Sequence, residues 1–178
     1  MIVTVADLDS LRRKVNAEGK KVVFASGSFD MTHGNHFRYL ENAKKQGDVL
    51  IVGVKSDAAV RLKAANRPIY AEQMRAYIVD NSKPVDYTVI VPYDEQMKTS
   101  IPADNTEQQQ WLTMFEPLVA VLRPDVWYHE DAPKLQSARN RLFAKYGVHG
   151  IPASRGNGAS TTQIINRIMT GKGEPIGM

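Results

Sequence analysis

Two histidines three residues apart, His33 and His36, follow the turn Ser26-Gly27-Ser28 and open a segment of helical spacing, Phe37, Leu40 and Ala43. Residues three apart on a helix share a face, so both imidazoles are expected to project from its first turn. The apolar run Val22-Val23-Phe24-Ala25 comes before the turn. Strand, glycine turn and helix together present free backbone N–H groups and the positive end of a helix dipole at the carboxyl edge of a sheet, where an anion can sit. With two imidazoles facing it, that anion is best read as a phosphate. A hydroxyl-rich stretch, Ser160-Thr161-Thr162, opens the last helical segment. Capping the helix accounts for one of these hydroxyls, and phosphate binding accounts for all of them.

These residues need a scaffold, and the hydrophobic pattern supplies one. Residues 4 to 17 read as an amphipathic helix capped by Thr4 or Asp7, with Leu8, Leu11 and Val15 on one face. The first strand and the histidine helix follow, the latter stopped at Gln46-Gly47-Asp48. Asp48 to Val54 is a continuous apolar run, as expected of a strand covered on both faces. Ala58 to Lys63 is short and polar or helical, Glu72 to Val79 is helical, and Val85 to Val91 is a third strand. Tyr93 to Thr106 turns polar and is expected to be a long loop within an insertion-containing region, 93 to 117. Glu107 to Leu122 is a helix whose apolar set includes Trp111 and Phe115, which at helical spacing read as core more readily than as interface. Val126 to Tyr128, a helix from Leu135 to Tyr146, Val148 to Pro152 and a helix from Ser160 to Met169 complete the alternation. Strands alternating with helices predict an α/β fold, a doubly wound parallel sheet with helices on both faces.

Composition narrows the function. With 178 residues, 43% of them hydrophobic, the chain suits a single domain, 1 to 178, with a substantial core. The formal charge is +4 and the basic residues are dispersed, which suits a small polyanionic ligand. A nucleic-acid reader would show a basic stripe interleaved with aromatics, and no such stripe is found. There is no cysteine, so disulfides, thiolate metal sites and cysteine nucleophiles are excluded. No apolar run approaches the roughly 20 residues needed to span a bilayer, and the charged amino terminus lacks a signal-peptide core. A soluble, cytoplasmic protein without membrane or nucleic-acid partners is expected.

The run Gly27-Ser28-Phe29-Asp30-Met31-Thr32-His33-Gly34-Asn35-His36 resembles the G-x-F-D-x-x-H-x-G-H signature of the cytidylyltransferase-like nucleotidyltransferases. One position departs, because Asn35 stands where the family has glycine. The likeness continues in Gly47 to Val54 with Ser56-Asp57, in Lys63, Arg67-Pro68, Glu72-Gln73 and Arg75, and in Val85-Asp86 and Pro124-Asp125-Val126. These are similar to the heptose-1-phosphate adenylyltransferases. Arg155-x-x-Gly158-x-Ser160-Thr161-Thr162 is similar to a cytidylyltransferase signature. The resemblance spans about residues 20 to 170 and implies a five-stranded sheet of order 3-2-1-4-5.

It also implies a reaction and its parts. CMP or AMP would pass from a nucleoside triphosphate carrying Mg2+ to a small phosphorylated acceptor, such as a sugar phosphate, polyol phosphate or phosphonate. Such chemistry rests on positioning and charge stabilisation more than on a strong base. The resemblance makes His33, His36, Lys44 and Arg75 catalytic. It gives nucleotide binding to Gly27, Ser28, Phe29, Asp30, Asn35, Asp131, Arg155, Ser160, Thr161 and Thr162, and acceptor binding to Lys44, Lys63 and Arg75. A homodimer is expected, and Arg155 tilts the base toward CTP. Where the family often reads Lys-Gly-Gly-Asp or Met-Gly-Asp-Asp, this chain has His129-Glu130-Asp131. Two other readings compete. One is a metal-dependent hydrolase with Asp30, His33, His36 and His129 as ligands. The other is a non-catalytic nucleotide-binding module.

Overall fold

The computed structural model describes residues 1–62, 66–93, 107–153 and 160–171. Its strands are β1 (Ile2–Val3), β2 (Val22–Gly27), β3 (Val49–Lys55), β4 (Tyr87–Val91), β5 (Val126–Glu130) and β6 (His149–Ala153). The helices are α1 (Leu8–Ala17), α2 (Gly34–Lys44), α3 (Asp57–Arg61), α4 (Glu72–Asp80), α5 (Glu107–Leu122), α6 (Gln136–Tyr146) and α7 (Thr161–Thr170).

All strands pair in parallel, in the order β1-β4-β3-β2-β5-β6. This corrects the five-stranded expectation. The five expected strands keep the order 3-2-1-4-5, and a sixth, β1, is added beside β4 through Ile2 opposite Thr88 and Val3 opposite Val89. Two residues are too few for any periodicity to reveal. The expected helix over 4 to 17 also divides. Thr4 donates its N–H and hydroxyl to the Asp7 carboxylate at 2.8 and 2.6 Å, which tightens residues 5 to 7 into a 3₁₀ turn before α1 starts.

Alternation along the strands builds two cores. Val22, Phe24, Ile51 and Trp127 face α1, α5 and α6, meeting Leu8, Leu11, Phe115, Leu118 and Leu142. Val23, Ala25, Leu50, Val52 and Tyr128 face α2 and α4, meeting Leu40, Ala43, Ala76 and Val79. Trp111 and Phe115 are core, with the Trp111 ring stacked 5.3 Å from that of Trp127. Most of the 93 to 117 region, like most of the expected loop, lies outside the described residues.

Polar ties fix the amino edge of the sheet. Asp125 accepts both Nη groups of Arg12 at 3.0 Å and the Val22 N–H at 2.7 Å. Asp86 accepts the Leu50 N–H at 2.7 Å and pairs with Lys44. Phosphate-type ligands of such sheets bind at the other edge, beyond the carboxyl ends of the strands. No helix of the described residues is long and apolar enough to cross a membrane.

Candidate functional site

At the carboxyl end of β2 the chain makes a tight turn. Phe29 and Met31 take φ of 50° and 51°, in a left-handed region that side-chain-bearing residues occupy only when their surroundings hold them there. Gly27 makes the room, since a Cβ at that position would lie 3.0 Å from the Phe29 ring. Phe29 therefore folds back into the core, 5.6 Å from the ring of His36 and 6.5 Å from that of Tyr39. Tyr39 in turn donates its hydroxyl to the Tyr128 carbonyl at 2.7 Å, tying α2 to β5.

His33 is the extended residue immediately before α2, and His36 occupies the helix's first turn. Their ring centroids are 4.1 Å apart. The His33 N–H donates to Nδ1 of His36 at 3.2 Å. A nitrogen that accepts this bond carries no proton, so neutral His36 holds its proton on Nε2. Burial, with a smaller contribution from the neighbouring His33, lowers the His36 pKa to about 4. Burial also lowers that of His33. Both rings are thus neutral at pH 7, and His36 is a neutral donor. Nδ1 of His33 is buried without a hydrogen-bond partner among the described residues, an unmet polar group of the kind a ligand can satisfy.

A second helix start meets the first. The Thr161 hydroxyl donates to the Asp30 carbonyl at 3.1 Å, bringing the amino end of α7 to the signature turn. Ser160 forms a capping box with Gln163: its Oγ accepts the Gln163 N–H at 3.2 Å, and Gln163 Oε1 accepts the Ser160 N–H at 2.8 Å. Ser160 and Thr161 are therefore engaged in placing α7, while Thr162 is exposed. Two positive helix ends at one turn are an anion-binding arrangement.

Asp30 is not exposed to a ligand as the resemblance implies. Its buried carboxylate accepts Arg67 Nε at 2.6 Å, the Ile69 N–H at 2.9 and 3.0 Å, and the Tyr70 N–H at 3.0 Å. Burial raises its pKa, but these donors more than offset that and hold it below the ordinary carboxylate value. Arg75 is likewise spent. It is fully buried and donates to the Tyr70 carbonyl at 2.8 Å, the Ser28 carbonyl at 2.6 Å and Asp57 at 2.7 Å. Both residues hold segment 67 to 70 against the signature turn.

Lys44 stands apart from the histidines. It lies at the far end of α2, about 15 Å along the helix from His33, where it bonds the Asp48 carbonyl at 2.6 Å and pairs with Asp86. That is the amino edge of the sheet, opposite the histidines. Lys63 and Arg155 lie outside the described residues. Asp131 and His129 border an open cleft of about 320 Å³ together with Gln136, Asn140 and Phe143 of α6. The His129 ring lies 5.7 Å from that of Phe143, on the sheet face away from α2. Strand alternation sends His129 and Tyr128 to opposite faces, so His129 cannot join Asp30, His33 and His36 around one metal. Among the described residues no group of three or more His, Asp and Glu is placed to hold a metal ion.

The residues brought together at the turn, Gly27, Phe29, Asp30, His33, His36 and Thr161, all fall within a stretch that matches a known family. Residues 24–167 match the family described as cytidylyltransferase-like. The chain belongs to this family. It is therefore a member of the nucleotidyltransferase superfamily. Relatives of this cytidylyltransferase-like chain include the bifunctional protein HldE of Geotalea uraniireducens, 34% identical over 172 residues that make up 94% of this chain and 31% of the relative. HldE of Pelobacter propionicus is 34% identical over 155 residues, 86% of this chain and 28% of the relative. The chain thus spans roughly 30% of the length of these curated relatives. Among solved structures, a lipopolysaccharide core biosynthesis protein from Thermoplasma volcanium is 26% identical, with a TM-score of 0.59 over 78% of this chain and 100% of that one. A pantoate-beta-alanine ligase from Francisella tularensis, 16% identical with a TM-score of 0.60 over 88% of this chain and 68% of that one, shares the fold.

The site contains two residues whose part the sequence reading did not assign. Arg67 and Asp57 are bonded into the signature turn by Asp30 and Arg75. Both stood in the matching motifs. The available signal was charge at the ends of elements, but spacing alone does not reveal which acid meets which base across 18 or 37 residues of chain.

Proposed function

We propose that this protein transfers a nucleotidyl group, AMP in preference to CMP, from a nucleoside triphosphate to a small phosphorylated sugar, releasing pyrophosphate. One observation carries the reading: neutral His33 and His36 stand at a turn where the amino ends of α2 and α7 meet, joined by Thr161 and Asp30. Phosphates are the anions that such an arrangement suits. The preference for adenylyl transfer rests on the bifunctional HldE relatives together with the resemblance of Gly47 to Arg75 to the heptose-1-phosphate adenylyltransferases. They outweigh the single cytidylyltransferase-like feature at Arg155.

The chemistry needs little from the protein beyond position and charge. A phosphate monoester, whose second pKa is about 6, is already a nucleophile at neutral pH. Its oxygen forms a bond to the α-phosphorus while the bond to the β-phosphate oxygen breaks, and that oxygen leaves with pyrophosphate. The Nε2–H of His36 is a donor that does not have to be deprotonated or reoriented to meet the developing charge. Mg2+ would arrive on the triphosphate, whose oxygens are its natural ligands. In this reading the protein works in the cytoplasm, as a homodimer, on small molecules and not on nucleic acid. Exposed Met74 and Tyr77 on α4 offer apolar surface for a second copy.

The test is a pyrophosphate-release assay with each of the four nucleoside triphosphates over a panel of sugar, polyol and alkyl phosphates and phosphonates. Release with ATP and a sugar phosphate is the expected outcome. No release with any pair would remove transfer in favour of a nucleotide-binding module, and release only with CTP would reverse the base preference.

A further inference from the structure

Transfer between two polyanions calls for fixed cations beside His33 and His36, and the described residues expected to supply them do not. Lys44 is at the opposite edge of the sheet, and Arg75 gives its Nε and both Nη groups to protein acceptors. Arg67 is different. Its side chain is 17% exposed and its Nε is bound by Asp30 at 2.6 Å, yet among the described residues no acceptor takes a hydrogen bond from its Nη groups.

A guanidinium has five N–H donors in a rigid fork. With Nε held, four remain on the outer edge. The Nη groups keep contact with solvent, so this outer edge is open to an acceptor that comes and goes. Its anchor belongs to the signature turn. The Asp30 carboxylate is close enough to His36 for its charge to act on that ring, and the Asp30 carbonyl receives Thr161 from the amino end of α7. The anchor of Arg67 thus lies between the imidazoles and the second helix start. Phosphoryl oxygens match two parallel Nη donors in both charge and spacing.

We infer that Arg67 is a phosphoryl-binding residue of this site and that Asp30 is its positioning residue, not a nucleotide ligand. Asp30 is suited to that part because a carboxylate only accepts hydrogen bonds and would repel phosphate if it faced one. Bound by Arg67, Ile69 and Tyr70, its charge is matched, and the bond to Nε leaves the two Nη groups without a protein acceptor among the described residues. Arg75 supports the same segment from below by holding the Tyr70 carbonyl. The inference rests on the nucleotidyl-transfer reading for the identity of the phosphoryl group, which belongs either to the triphosphate or to the acceptor.

The experiment measures binding of inorganic tripolyphosphate by calorimetry, together with steady-state KM for each substrate, on the wild type, Arg67→Ala, Arg67→Lys and Asp30→Asn. Arg141→Ala, an exposed cation of α6, is the control for net charge. Arg67→Ala should weaken tripolyphosphate at least tenfold, measured at a temperature where the variant is still folded, because removing the partner of the buried Asp30 carboxylate also lowers its Tm. Arg67→Lys should recover part of the loss, and Arg141→Ala should show none. Asp30→Asn should weaken binding although Arg67 is still present; if it fails to fold, Arg67→Ala and Arg67→Lys still decide the matter. A rise in KM for the triphosphate assigns Arg67 to that substrate, and a rise for the acceptor assigns it there. Tripolyphosphate binding by Arg67→Ala equal to that of the wild type, or no binding by the wild type, overturns the inference. The transfer reading fails separately, on absence of pyrophosphate release by the wild type, and Arg67-dependent tripolyphosphate binding would survive that result.

Discussion

The N–H of His33 donates to Nδ1 of His36 at 3.2 Å, so one histidine's backbone sets the tautomer of the other's ring. The arrangement depends on the extended conformation of His33, φ −141° and ψ 177°, which turns its N–H toward the first turn of α2. Nε2–H is then the edge of His36 available to a ligand. That relation makes the first prediction specific to one atom. His36→Ala should lower turnover about a hundredfold, the usual cost of on the order of 3 kcal/mol for removing one preorganised donor. His36→Gln, whose amide N–H reaches nearly as far as Nε2–H, should retain more activity than His36→Ala. Equal loss in the two variants, measured as kcat for pyrophosphate release, would show that the ring and not its N–H matters.

Acid should weaken the fold through the same residue. His36 has a folded pKa of about 4 against 6.5 for the free side chain. Above pH 6.5 both states hold it neutral and it contributes no slope. As pH falls below 6.5 the unfolded chain takes up a proton that the folded chain refuses, so stability drops until about pH 4. At 1.36 kcal/mol per pKa unit, the loss from this group is about 2 kcal/mol between pH 7.5 and 5. Urea unfolding at the two pH values should show His36→Gln losing less stability than the wild type. A bound phosphate favours the charged imidazole, so tripolyphosphate binding near pH 5.5 should also draw protons from the buffer, detected as a buffer-dependent calorimetric heat.

Lys44 provides the opposite kind of test, a residue in a matching motif placed away from the chemistry. It bonds the Asp48 carbonyl and Asp86 at the amino edge of the sheet. Lys44→Ala should leave kcat and both KM values within about twofold and cost no more than roughly 1 kcal/mol of stability, as partly exposed ion pairs do. A tenfold loss of kcat would return Lys44 to the site.

The contrast between Lys44 and His36 marks what the sequence can convey. Glycine turn, apolar strand and helical spacing placed His33 and His36 at a helix start, because each of those signals is local. The order of the five longer strands came with the family resemblance, and β1 escaped because Ile2 and Val3 carry no period. Lys44 shares a helix with His36, but helix length sends it to the other edge, so proximity in sequence misled. The surroundings of Asp30 are illegible in the sequence for a related reason. Its type and motif suggested a ligand-facing acid, whereas its partners Arg67, Ile69 and Tyr70 come from a segment almost 40 residues away. Nothing along the chain specifies that pairing. His129, grouped by type with Asp30, His33 and His36 as a possible metal ligand, lies instead beside Phe143, while its neighbour Tyr128 packs in the core facing α2.

Base choice is the last prediction. The resemblance at Arg155 favours CTP, but a guanidinium donates to phosphate oxygens as readily as to acceptors on a base edge. Arg155 therefore marks relationship without selecting a nucleotide. The relatives that match 86% and 94% of this chain are HldE proteins, and the stretch from Gly47 to Arg75 resembles the heptose-1-phosphate adenylyltransferases. Discrimination between adenine and cytosine has to come from groups that present donors and acceptors to the base, and a site built for one set of hydrogen bonds leaves its own polar groups unpaired when the other base enters. Titration with ATP and with CTP, each with Mg2+, should give at least tenfold tighter binding of ATP, a difference of about 1.4 kcal/mol. Equal affinities would mean that the site holds the triphosphate alone, and tighter CTP would restore the cytidylyl reading. Because Arg67 is assigned to phosphoryl oxygens, Arg67→Ala should weaken the two nucleotides by the same factor if it grips the triphosphate, leaving their ratio unchanged.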